Sequence, residues 1–137
     1  MAVLVDTNVI LSAVTDRNAF QRARAERLFR QAASGAEQIV IAQFVLFETH
    51  YVMRNLYKQS DADVAALLAD LVALPGAVVQ HVLPLGKLFE RWPSPIREVA
   101  DAALAATALD MGCSIATFDS RFVRRLRSLG IAVWSPE

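Results

Sequence analysis

Apolar positions along the chain fall into two kinds of run. The short, mainly apolar ones are residues 2–5 (AVLV), 38–42 (QIVIA), 78–83, 114–117 and 131–134. They have strand length and little polar alternation, as strands buried on both faces of a parallel sheet do. Between them lie stretches that read as helices. One continues from the first strand to about Ala13. A strongly basic helix spans 18–33, with Ala19, Ala23, Leu28 and Ala32 on its apolar side and Ser34-Gly35 as its stop. FVLFETHYVMRNLY gives a long helix after the second strand. Ser60 with Asp63 resembles a capping box, aspartate standing in the usual glutamate place, ahead of a helix to Leu74 that Pro75-Gly76 breaks. Pro84 and the pair Pro93, Pro95 bracket a short helix near 85–91. A helix from about Arg97 to Met111 closes at Gly112, and a basic helix over 120–128 closes at Gly130.

Strands alternate with helices throughout, so the expected class is α/β, with a parallel sheet of about five strands and helices on both faces. No repeat, linker or low-complexity segment interrupts the 137 residues, which read as a single domain over 1–137. With 55% hydrophobic and 20% charged residues, disorder is excluded, and a tightly buried core, an oligomer interface or both are expected. Basic and acidic residues balance at 14 each, so no global positive field marks a nucleic-acid binder. A polyanionic partner would have to be recognised through local chemistry. Cys113 is the only cysteine, which excludes an intrachain disulfide and a thiolate zinc site. His50 and His81 are the only histidines, too few for an imidazole cage. MAVLVD lacks the basic start and long apolar core of a signal peptide, and no uncharged apolar run reaches the ~18 residues of a membrane span. A soluble, cytoplasmic protein without membrane contact is the expectation.

The acids carry the chemistry. Asp6 ends the first strand and Asp119 lies just past SIATF, so both belong at C-terminal strand ends, where open α/β sheets bind ligands. Glu48 sits among apolar and neutral neighbours in FVLFETHYV, and Asp101 in the apolar VADAALAATAL. Each has a plainer reading. Asp6 and Asp119 suit helix N-caps, and Asp101 complements a helix dipole. Glu48 could pair with Arg54 or with an arginine of the 17–30 helix. Four carboxylates meeting in one place repel unless cations lie between them. An all-oxygen set, with no His or Cys beside it, favours Mg²⁺ or Mn²⁺, one or two ions.

The segments LVDTNVI, FET, VADAALAATALDMG and SIATFDSRF, in that order between residues 3 and 122, resemble the motifs of the PIN-domain nucleases. Within that family the chain is most similar to VapC-type ribonuclease toxins. The resemblance implies a PIN-like three-layer domain in which Asp6, Glu48, Asp101 and Asp119 are the metal-holding, catalytic acids. Thr7, Asn8 and Thr117 match accessory polar positions that orient metal ligands or water. It also implies a metal-dependent endoribonuclease that hydrolyses RNA with a metal-bound water, acting as the toxin of a type II toxin–antitoxin pair. A separate antitoxin chain would neutralise it. A non-toxin PIN nuclease of RNA processing and a catalytically inactive PIN-fold binding module remain the alternatives.

Outside the quartet the signals are weaker. Arg22, Arg24, Arg121 and Arg124, on the two basic helices, are candidate RNA contacts, or simply parts of solvated faces. Trp92 and Trp134 suit core or interface packing as well as base stacking. Cys113 reads as a small buried hydrophobe. The helices over 43–57 and 61–74 carry more apolar side chains than a small core covers, so a homodimer is expected. Two other folds that use strand-end aspartates are disfavoured. Asn8 stands where a haloacid dehalogenase phosphatase has its second aspartate, and neither Lys58 nor Lys87 follows a strand as a receiver domain needs. The five glycines are scattered, so no phosphate-binding glycine loop is present.

Overall fold

A computed structural model describes residues 2–135. Four of the apolar runs become strands: β1 (Val3–Val5), β2 (Ile39–Ala42), β3 (Ala77–Gln80) and β4 (Ser114–Ala116). They form one parallel sheet in the order β3-β2-β1-β4. Every residue of β1, β2 and β4 is buried, whereas edge strand β3 is only partly covered. Leu4 lies between Val40 and Ile115 in register, at the centre of the core.

Two strand expectations change. Strand β3 stops at Gln80 and not at Leu83, because its ladder partner β2 ends at Ala42, opposite Gln80, where the chain turns into a helix. The run over 131–134 makes only a single parallel bridge, Ile115 to Val133. Ala132 is exposed there, and Val133 and Trp134 are half-buried, so this segment lies along the edge of β4 without the burial that extends a strand. The about-five-stranded sheet is thus four strands and a bridge.

Seven helices link them among the described residues: α1 (Thr7–Val14), α2 (Ala19–Ala33), α3 (Gln43–Asn55), α4 (Asp61–Val72), α5 (Leu85–Phe89), α6 (Val99–Met111) and α7 (Ser120–Ser128). Their ends are set locally. Asn18 and Ser60 accept from the backbone N–H groups of Gln21 and Asp63 at 2.9 and 3.1 Å, and Gly112 closes α6 at φ 68°. Helix α2 buries Ala25, Leu28 and Ala32, a spacing of three and four residues. Ala19 and Ala23, expected inside, are exposed. Helix α6 buries seven consecutive residues, Ala102–Ala108, five of them alanines, and can therefore pack closely on the sheet on more than one side.

This topology positions the site. All four strands point the same way, so their C-terminal ends share one edge. Neighbours β2 and β4 flank β1 on opposite sides, which makes that end of β1 a switch point where side chains can meet around a crevice.

Candidate active site

Asp6 follows β1 and caps α1, its Oδ1 accepting from the Thr7 N–H at 2.7 Å. Asp119 follows β4 and caps α7, its Oδ1 accepting from the N–H groups of Arg121 and Phe122 at 2.9 and 3.2 Å. The cap reading of both residues is therefore correct, and it leaves a carboxylate oxygen of each free of capping. Capping fixes where each acid stands.

A polar mesh ties the strand ends together. Asp6 Oδ2 accepts from Thr117 Oγ1 at 2.7 Å and from Asn8 Nδ2 at 3.2 Å. The Asn8 amide also donates to Thr117 Oγ1 at 3.1 Å, while its Oδ1 accepts from the Phe118 N–H at 3.0 Å. Asp119's own N–H donates to Thr117 Oγ1 at 3.2 Å. Buried Thr117 thus joins two acids of the quartet, one through its side chain and one through its backbone. Thr7 Oγ1 donates to Glu48 Oε1 at 2.8 Å, linking the start of α1 to α3. Thr7, Asn8 and Thr117 each donate to an acid of the quartet.

The ion pair considered for Glu48 is absent among the described residues. Arg54 pairs instead with Asp61 at 2.9 Å, and Arg17 donates to the Asn8 carbonyl and to Ser12 Oγ. Asp101 occupies the first turn of α6, where the helix dipole favours an anion.

Electrostatics couple the four acids. Burial pushes the Asp6 carboxyl from an ordinary 3.8 to about 6, against the hydrogen bonds from Thr117 and Thr7, and the charges of Glu48 and Asp119 raise it further. Asp101 rises to about 7, through burial first and then through the charges of Asp6, Asp119, Glu98 and Glu48. No ion pair to any of the quartet forms among the described residues. Glu98 is a fifth acid that sequence reading missed. It precedes α6, three residues before Asp101, and that spacing was the available signal.

A surface cavity of about 470 Å³ is lined by Glu98, Asp101 and Asp119 together with Arg121 and Arg125. A wider, largely apolar groove of about 620 Å³, between α1, α2 and α4, contains none of the four acids. The donor set fits a hard divalent cation: carboxylate oxygens, mutual repulsion and no ion pair among the described residues. As they stand, no three Asp, Glu, His or Cys side chains among the described residues close around a single point. Among the basic candidates, Arg22 is held by Asp16 and, at 2.8 Å, by Glu26, so its charge is already matched. Arg24, Arg121 and Arg124 have no ion pair among the described residues. His50 pairs with Asp61 and His81 with Gln43, both apart from the acids.

Residues 3–126 match the PIN domain family. No curated protein matches the chain. Among solved structures it is similar to VapC20 of Mycobacterium tuberculosis, described as a sarcin-ricin loop cleaving toxin. That similarity has a TM-score of 0.70 at 20% identity, over 98% of this chain and 99% of the other. It is also similar to VapBC2 of Rickettsia felis, bound to a DNA fragment from their promoter. The values there are TM-score 0.61 and 16% identity, over 90% of this chain and 92% of the other. A third structure, VapBC-1 of nontypeable Haemophilus influenzae, gives a TM-score of 0.62 at 13% identity, over 98% and 97% of the two chains. These likenesses establish a common fold. The family match runs from β1 into α7 and spans all four acids, and on that basis the chain belongs to the PIN-domain family.

Proposed function

We propose that this chain, acting as one PIN domain, is a metal-dependent endoribonuclease and the toxin of a type II toxin–antitoxin pair. The observation that carries the proposal is the quartet itself. Asp6, Glu48, Asp101 and Asp119 come from four separate elements, feel one another's charge, and make no ion pair among the described residues. Such an arrangement is costly to a fold and is expected where it serves a site.

In this reading the four carboxylates hold one or two Mg²⁺ or Mn²⁺ ions. When bound, the ion would supply positive charge for the phosphodiester and make a water more acidic. The chain's own residues do the rest. Thr117 and Asn8 fix the Asp6 carboxylate, and Thr7 fixes Glu48. Asp101, raised to about 7, can take up or release a proton near neutral pH as charge enters the site. With both histidines engaged elsewhere, the acids have no imidazole partner for a 2′-hydroxyl mechanism.

The names of the similar structures support a toxin: one is called a sarcin-ricin loop cleaving toxin, and two are VapBC structures. An antitoxin segment would block the crevice most directly by placing Arg or Lys among the acids. No helix among the described residues is long and apolar enough to cross a membrane. Cytoplasmic action on RNA accords with the proposed role.

The test is RNA cleavage by the purified chain with Mn²⁺ or Mg²⁺, with excess chelator, and with Asp6→Asn. Cleavage that needs the ion and falls at least ~100-fold in the variant is expected. Cleavage that is indifferent to chelator, or retained in Asp6→Asn, would overturn the proposal.

A further inference from the structure

Helix α7 presents its arginines on two sides. Arg121 and Arg125 line the acidic cavity, whereas Arg124 and Arg127 line a second groove of about 540 Å³. The opposite wall of that groove is α2, with Phe20 and Arg24, and Phe118 and Trp134 also face it. Among the described residues no Asp or Glu lines it. Arg24, Arg124 and Arg127 have no ion pair among the described residues, in contrast to Arg22 and Arg30, which both reach Glu26. The Arg24 guanidinium lies 5.6 Å from the ring centres of both Phe20 and Phe118. Phe20 itself is 73% exposed, so its ring is open to a ligand in the groove.

The groove runs into the acids. Thr117 lines it, and its hydroxyl donates to Asp6 Oδ2 at 2.7 Å. Next to it, the Phe118 N–H donates to Asn8 Oδ1 at 3.0 Å. A strand lying in the groove would therefore meet the quartet within a residue or two of chain.

We propose that this groove holds unpaired RNA nucleotides flanking the cleaved bond. Phosphates lie against Arg124 and Arg127, and a base stacks on the aromatic surface that Phe118, Phe20 and Arg24 build with Trp134. Unmatched positive charge suits phosphates, and aromatic faces suit bases that are free of a duplex stack. Paired RNA buries those base faces within its own helix, so the groove selects for loops and single strands. The proposal rests on the ribonuclease reading of the acids and adds to it where the substrate strand lies and in what state.

The experiment measures binding in chelator, where cleavage is not needed. A labelled single strand of about ten nucleotides is titrated by fluorescence anisotropy, beside the same strand annealed to its complement. The single strand should bind at least about tenfold more tightly. The double variant Arg124→Ala/Arg127→Ala should lose about tenfold or more in affinity, and its salt dependence should weaken by about 0.7 in log–log slope per arginine removed. Phe20→Ala, at an exposed position that leaves the fold intact, should lose about fivefold with the slope unchanged. Equal affinity for the duplex, or wild-type affinity and slope in the arginine variant, would overturn the groove. Cleavage with Mn²⁺ is measured on the same proteins. A wild type that cleaves while the groove variants bind and cleave normally removes this proposal alone. A wild type that binds single strands through the groove but never cleaves removes the nuclease reading and leaves the groove standing.

Discussion

At Asp6 and Asp101, position in the chain, burial and charge lead to a stability that depends on pH. Both folded carboxyls titrate above their unfolded value of 3.8, at about 6 and about 7. The folded state thus binds more protons than the unfolded state across that interval, and stability falls as pH rises through it. Metal-free protein should melt at a higher temperature at pH 5 than at pH 8, and Asp101→Asn should flatten that dependence and raise the melting temperature at pH 8. Thermal denaturation in chelator checks this; a melting temperature that rises steadily from pH 5 to 8 would contradict it. The same substitution should abolish cleavage, a trade expected where a residue is kept for function. Thr117 gives a second residue-scale prediction. Its hydroxyl lowers the Asp6 pKa, so Thr117→Val should shift the acid limb of the pH–rate profile to higher pH. Activity should also fall, by about 10–100-fold, as when a ligand loses its orienting partner. A uniform loss at all pH values would mean that Thr117 acts only through folding.

Among the elements, the turn into β3 shows how tightly the layers meet. Gly76 donates to the Ala32 carbonyl at 2.8 Å and accepts from the Ile39 N–H at 2.8 Å, tying α2, β2 and β3 together. A Cβ there would stand 2.3 Å from the Glu37 carbonyl oxygen and 2.8 Å from that of Ala32, both backbone atoms. Gly76→Ala should therefore cost about 1–3 kcal/mol in urea denaturation, whereas Gly86→Ala, with open space in α5, should be neutral or slightly stabilising. Gly76 was legible from sequence only as part of a Pro-Gly break. The βα alternation and the strand-end aspartates were legible because burial on two faces writes an unbroken apolar run and a polar residue ends it. Other features depend on partners that no local pattern names. The length of β3 is set by where β2 ends, and the 131–134 run has nothing to cover its outer side. In α2, alanines at 19 and 23 look the same as those at 25 and 32 until the sheet beneath is known. Arg22 looked like its neighbours until Asp16 and Glu26 were placed beside it, and the crossing from Thr7 to Glu48 spans two helices.

Across the whole molecule, the outer surface carries apolar side chains the core does not use. Phe47 and Tyr51 on α3 are 71% and 68% exposed, and Phe89 on α5 is 61% exposed. Helix α4, expected to share that role, contributes no large exposed apolar side chain and instead lines the groove against α1 and α2. A homodimer through α3 is therefore the expected assembly, with Phe47→Glu/Tyr51→Glu giving a monomer by light scattering; a wild-type monomer at micromolar concentration would contradict it. Expression of this chain alone should arrest growth, as the proposed toxin role requires, and Asp6→Asn should relieve the arrest. Domain, sheet edge and quartet together make one chemical claim, that RNA is cut by water at an acidic, ion-holding crevice and not by its own 2′-hydroxyl. End-group analysis of RNA cleaved by the purified protein with Mn²⁺ tests it most directly. The account predicts 5′-phosphate and 3′-hydroxyl ends; 2′,3′-cyclic phosphate ends would contradict it.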